Sequence, residues 1–264
     1  MNQSKPAALV EQRGRVLLIT LNRPQAMNAI NAEVSAIVGE ALVRAEEDPG
    51  VRAVVLTGAG PRAFCAGADL KALSRGESVA AAEHPGWGVA GYVRHPISKP
   101  TVAAVNGLAL AGGLELVLAS DLAVAADSAT FGLPEVARGL FAAAGGVFRL
   151  PEQISRKIAL QMIFTGEPID ASRALSLGLV NQVVPAGGAL DAAMALAEKI
   201  SRNAPLAIQA SKRVATGLTD GTLPAEADAW LGTDQEMRRI KASRDFKEGS
   251  SAFVEKRPPV WRAK

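Results

Sequence analysis

Glu115 stands in LALAGGLELVLASD (residues 108–121), three residues after Gly112 in a run otherwise built from Leu, Ala and Val. A carboxylate drawn into such a run as it packs loses hydration, and an unpaired buried charge is costly. Something must neutralise it or use it. Twenty residues on, FGLPE ends in Glu135, behind a proline that fixes the chain direction. Two carboxylates in a partly dry site cannot both ionise cheaply, so one holds a proton near neutral pH and the pair can act as acid and base. On pattern alone each glutamate reads equally well as an acidic residue favoured by the positive end of a helix.

Gly112 and Gly113 fall where a helix should begin after a loop. An amide in a first helical turn has no intrahelical partner and points out of the positive end of the dipole, which suits an anion. Glycine also lets the backbone approach a ligand closely. Residues three apart share a helix face, so the Glu115 side chain, which leans back toward the N-terminus, reaches the space in front of Gly112. A second small-residue turn lies in RAFCAGADLKAL (62–73). There Asp69 is placed to cap the helix that LKAL starts, and the turn's exposed amides are further donors. Cys65 reads as a small buried hydrophobe, with no histidine near it in sequence.

These groups need strands and helices to hold them. RVLLITL (15–21) reads as a strand, followed by helical spacing across 28–47 and a buried strand in VRAVVLTG. TVAAV (101–105) and DLAVAA (121–126) predict two more strands with the 108–121 segment between them as a short helix, and LVNQVV (179–184) a late one. Strands alternating with helices predict an α/β fold of repeated βα units. Beyond Pro185 helical patterns take over, at 188–202, 205–217 and about 224–242. The small-residue stretch 76–92 reads as a loop.

Composition narrows the classes. The 264 residues are 48% hydrophobic with a net charge of +3, which supports a sizeable core and gives no whole-molecule attraction to nucleic acid. No apolar run reaches the roughly 18 residues of a membrane span, and the start lacks a secretory layout, so the expected address is cytoplasmic. One cysteine excludes an intramolecular disulfide framework, and with only His84 and His95 beside it a His/Cys zinc site is not expected. From Lys199 onward 13 basic residues face 8 acidic ones, so the tail is suited to an anionic contact.

AFCAGADLK, AVNGLALAGGLELVLASDLAVAADSATFGLPE and GLFAAAGGVFRLP together resemble the crotonase, or enoyl-CoA hydratase/isomerase, family. LNRPQAMNAI (21–30), FTGEPIDASRALSLGLVNQVV (164–184) and SAFVEKRPPVW extend the similarity over nearly the whole chain. The resemblance implies a spiral of ββα units over residues 1–200, with a helical region at 201–264 that builds trimers, often stacked as hexamers. It implies backbone amides of Ala68 and Gly112 as an oxyanion hole for a thioester, and Glu115 and Glu135 as the catalytic pair of a hydratase acting on trans-2-enoyl-CoA. Coenzyme A is then part of the substrate, and neither a separate cofactor nor a metal is implied. For coenzyme A contacts it points to Arg23 and Ala26, to the segment carrying Ala66, Asp69, Leu70 and Lys71, and to Phe253 and Lys256 in the tail. Gln25 stands where many relatives have lysine, which weakens one expected phosphate contact. Trp87 and Tyr92 are candidates to line an acyl tunnel.

Rival readings are weaker. GAGPRA (58–63) satisfies a loose dinucleotide pattern, but no amphipathic helix follows it to receive a pyrophosphate. No GxSxG occurs for a serine hydrolase. An isomerase moving a 3-enoyl double bond needs only one base, whereas two glutamates favour hydration. A non-catalytic acyl-CoA or RNA binder has no use for the retained pair, and basic–aromatic interleaving is absent.

Overall fold

VLLITL and AVVLTG carry apolar residues at successive positions, the pattern of strands covered on both faces, and both lie buried inside a sheet. The computed structural model describes residues 5–264, apart from the side chains of Ser250, Phe253 and Val254. A hairpin, β1 (Ala8–Arg13) and β2 (Val16–Leu21), turns at Gly14 and leads into α1 (Ala32–Glu47). Next come β3 (Ala53–Gly58), β4 (Ala63–Cys65) and α2 (Leu70–Ser74), then β5 (Thr101–Val105), β6 (Leu108–Leu110) and α3 (Gly112–Ala119). β7 (Leu122–Ala126) and β8 (Thr130–Gly132) follow, then α4 (Gly146–Gln153), α5 (Arg156–Thr165), β9 (Ile169–Asp170), α6 (Ala171–Ser176) and β10 (Gln182–Val184). The chain closes with α7 (Ala189–Ser201), α8 (Pro205–Thr216), α9 (Ala227–Ala242) and α10 (Arg244–Glu255).

Successive strand pairs divide between two sheets. β3, β5 and β7 go to a six-stranded sheet of order β1-β2-β3-β5-β7-β10, and β4, β6 and β8 to a four-stranded one of order β4-β6-β8-β9. Within each sheet these strands pair in parallel, so every ββ step climbs one position in both sheets at once. This is the crotonase spiral that the resemblance implies. Phe64 of β4 and Phe131 of β8, on either side of β6 in the smaller sheet, are fully buried in the main core. The opposite face of the larger sheet is covered by α7 through Ala193 and Ala197.

The structure departs from the periodicity reading where elements are short. The 108–121 segment opens as strand β6 rather than helix, and three residues are too few to show a period of two. α1 starts at Ala32 instead of 28, because Met27 and Asn28 adopt left-handed φ of 53° and 54° and Asn31 caps the helix by accepting from Val34 N–H. The late strand contracts to β10, and α10 adds a helix the pattern did not predict. No helix among the described residues is long and apolar enough to cross a membrane.

Candidate active site

Three neighbouring strands deliver the site. Ala68 lies three residues beyond β4, Gly112 two beyond β6 and Glu135 three beyond β8. Because β4, β6 and β8 are adjacent and parallel, their carboxyl ends stand in a row. The first two loops touch: a Cβ on Gly67 would lie 3.1 Å from the Gly112 nitrogen and 2.8 Å from Ala111 Cβ, and Gly67 has φ +93°. Glycine is required there on both counts. Gly113 is equally constrained, since its Cβ would fall 2.0 Å from the Cys65 carbonyl oxygen, so α3 seats directly on the end of β4.

Both expected donor amides are left free by the local hydrogen bonding. Ala68 forms a parallel bridge with Ile30 in which Ile30 N–H donates to Gly67 O and Asp69 N–H donates to Ile30 O, each at 2.8 Å. That pattern uses the groups flanking Ala68 and turns its own N–H the other way. Gly112 opens α3 and has no intrahelical acceptor. Ala111 before it holds φ 53° and ψ −125°, a strained conformation for alanine, while its N–H donates to Gly132 O at 2.9 Å. The strained residue directs the chain from β6 into the helix start.

Glu115 is 3% exposed. Its Oε1 accepts from Ala144 N–H at 2.6 Å and from Gly146 N–H at 3.0 Å. Burial pushes its carboxyl up to about 7, against the pull of those two amides and of Arg149. Glu135 sits in the helical turn Pro134–Arg138, and its buried Oε2 has no hydrogen-bond partner. Burial, then the charge of Glu115, push it up to about 8. The two carboxyls therefore interact and titrate as a pair, with the amide-gripped Glu115 the better host for the negative charge and Glu135 for the proton.

Other expected residues are placed less simply. Asp69 does cap α2, accepting from Lys71 N–H and Ala72 N–H. Arg23 Nη2 bonds Asp69 Oδ2 at 2.7 Å and its Nη1 donates to Ala29 O, so both side chains have internal partners. Ala66 N–H donates to Met27 O; Ala26 ends a short turn, Leu70 starts α2, and Lys71 and Lys256 are exposed. Phe253 falls within α10, and its side chain lies outside the described residues. Cys65 is fully buried, which pushes its thiol up to about 12, in keeping with an inert role. Among the described residues no cluster of three or more His, Cys, Asp or Glu could hold a metal ion.

Trp87 and Tyr92, the candidates to line an acyl tunnel, are both packed among protein groups. Trp87 is stacked between His84 and His95, with centroids 4.0 and 4.6 Å away, and lies against Gly39 of α1. Tyr92 is core, its hydroxyl 2.9 Å from Ser120 Oγ. From that loop it is Val89 that comes near the site, 3.6 Å from where a Gly112 Cβ would be. The reading of individual residues also missed Ala144, Gly146 and Arg149, whose only signal was the AAAGGVFRL run; main-chain donors leave no mark on residue type.

Comparison with known proteins follows the same outline. The sequence pattern described as enoyl-CoA hydratase/isomerase matches residues 11–264. Carnitinyl-CoA dehydratase of Proteus mirabilis is 41% identical over 256 residues, 96% of this chain and 97% of that protein. The crystal structure of a carnitinyl-CoA hydratase from Mycobacterium avium superposes with a TM-score of 0.97 at 60% identity, covering 99% of this chain and all of that one. An enoyl-CoA hydratase structure from Mycobacterium tuberculosis gives a TM-score of 0.76 at 46% identity, covering 98% of this chain and all of that one.

Proposed function

The chain belongs to the enoyl-CoA hydratase/isomerase family as an acyl-CoA hydratase or dehydratase, and from that premise we propose that it adds water reversibly across the double bond of a trans-2-enoyl-CoA. The observation that carries this is the unequal carboxylate pair beside two free amides. The thioester oxygen accepts from Ala68 N–H and Gly112 N–H, which meet the negative charge that builds on it as water attacks C3. Losing one such donor typically costs about 2.7–4 kcal/mol of barrier. Ionised Glu115 takes a proton from the water as its oxygen bonds C3, and protonated Glu135 delivers its proton to C2. Dehydration runs the same steps backward, with Glu135 as the base and Glu115 as the acid on the departing hydroxyl.

The names of similar proteins support trying carnitinyl-CoA, a 3-hydroxyacyl thioester, as a second substrate. The reaction class is unchanged by that choice. Coenzyme A recognition falls in this reading to the corner around residues 66–71 and the basic tail. Assembly as a trimer or dimer of trimers is proposed on the exposed Leu206, Val214 and Leu231 of the late helices, and a molar mass from light scattering tests it.

The deciding experiment offers purified protein 2-enoyl, 3-enoyl, 3-hydroxyacyl and carnitinyl thioesters of coenzyme A and follows conjugated absorbance and product mass. Hydration of at least one 2-enoyl thioester, or dehydration of its 3-hydroxy counterpart, is the expected result. Turnover of 3-enoyl substrates alone would make it an isomerase and remove the role given to water.

A further inference from the structure

Behind the turn that grips Glu115 lies a buried arginine that the chemistry above does not use. Arg149 is 6% exposed in α4, one turn after Gly146. Its Nε and Nη2 donate to the carboxylate of Glu226 at 2.8 and 2.7 Å, and Nη2 also to Val93 O at 2.9 Å. Nη1 is buried without a hydrogen-bond partner and lies 3.2 Å from where a Cβ of Gly145 would be, and the guanidinium also faces the Trp230 ring at 5.3 Å. Gly145 is the residue between Ala144 and Gly146, whose amides hold Glu115. The guanidinium thus joins three segments: the turn around Val93, the start of α4 and the approach to α9. Glu226 is fixed in its turn by Trp230 Nε1, and Arg94 lies over the Trp230 ring while pairing with Asp234.

We propose that Arg149 is a positioning residue for the acid/base pair: clasped by Glu226 and the Val93 carbonyl, it braces the 144–146 turn and holds a positive charge behind Glu115. The assignment rests on the proposed reaction only for its kinetic consequence. A guanidinium in a dry setting acts over distance, and a buried charge needs a counter-charge, which Glu226 supplies. The ionisable groups facing Glu115 are Glu135 from the turn after β8, Arg149 from α4 and the neutral Cys65 thiol from β4. Arg149 is the only cation among them, and its attraction favours the ionised form of Glu115. Glu226 screens that attraction, so the ion pair sets its strength.

The two members of the clasp should then act in opposite directions, which a merely structural pair would not do. In full-length protein carrying ¹³C-labelled glutamate, the Glu115 carboxyl signal is assigned by its loss in Glu115→Gln and titrated in each variant. Arg149→Met should raise the lower apparent pKa of the carboxylate pair by roughly half a unit to one unit, Arg149→Lys should stay near the parent, and Glu226→Gln should lower it. On any thioester hydrated by the parent, the acid limb of the kcat profile should move the same way, with KM little changed. Circular dichroism checks folding; if Arg149→Met does not fold, the downward shift in Glu226→Gln carries the test. Midpoints unmoved in the folded variants, or moved in the same direction by Arg149→Met and Glu226→Gln, overturn the assignment. A parent that titrates as stated yet hydrates nothing removes the proposed reaction and leaves the role of Arg149 standing.

Discussion

Glu115 and Glu135 carry the same side chain into neighbouring, largely buried positions and are held differently there. Glu115 grows from the first turn of α3, and one of its oxygens is gripped by two amides. Glu135 stands on a short helical turn with a buried oxygen that nothing donates to. The difference teaches that the surroundings set the charge state: two amides favour ionisation of the buried Glu115, whereas burial and the charge of Glu115 hold the proton on Glu135. It also marks where the fold carries a destabilising feature, since an unsatisfied buried group lowers stability.

The largest expected effect tests the pairing itself. Glu115→Gln and Glu135→Gln should each lose about 10²–10⁴-fold in kcat while remaining folded. Thioester turnover and far-UV circular dichroism check it, and a variant as fast as the parent would break the pairing. Their pH dependence sharpens the contrast. Ionisation of Glu115 should set the acid limb and deprotonation of Glu135 the alkaline limb, giving a narrow bell whose maximum lies near pH 7 to 8.

Next in size is Gly113→Ala. Its new Cβ would meet the Cys65 carbonyl at 2.0 Å, so a loss of about 3 kcal/mol or failure to fold is expected in urea titrations. Gly112→Ala, whose Cβ finds its first neighbour at 3.3 Å, should fold nearly normally yet crowd the donor amide and lose activity.

A smaller effect runs against the usual direction. Because the folded-state pKa of Glu135 is raised, the protein holds a proton there that the unfolded chain has released. Stability from this group is therefore intact below the ordinary carboxylate range and declines as pH rises toward about 8. Glu135→Gln should melt higher than the parent at pH 8 and match it near pH 4. Glu115→Gln should gain in the same direction, with its gain levelling off at lower pH because the Glu115 carboxyl is pushed up only to about 7.

The smallest effect lies at the Ala68 corner. Asp69→Ala removes the α2 cap and the Arg23 pair, a loss of about 1 kcal/mol at neutral pH. Desolvation raises the Asp69 carboxyl, but Arg23 and the two capping amides together hold it below its ordinary value. Its contribution is thus complete above the carboxylate range and fades as pH falls through the lowered value, the reverse of Glu135. Thermal melts at pH 7 and pH 3 distinguish the two signs.

Residue types and spacing singled out Glu115, the glycines that open α3 and the cap at Asp69 as local anomalies, while the reading of Glu115 and Glu135 as a catalytic pair came from the family resemblance. The long strands and helices were legible for the same reason: β2, β3, β5 and α7 to α9 are long enough to show their composition or period. The motif order carried the family, and with it the spiral. What the chain alone did not disclose is the placement made by β4, β6 and β8. Those strands have three residues each, no period to read, and pairings that span tens of residues of sequence. Only their parallel alignment sets an amide after one strand, an amide after the next and a carboxylate after the third side by side. Main-chain donors at 144 and 146, and a guanidinium behind them, then decide which acid keeps its proton; desolvation and Coulomb attraction depend on distance in the folded molecule, which no neighbour in sequence encodes.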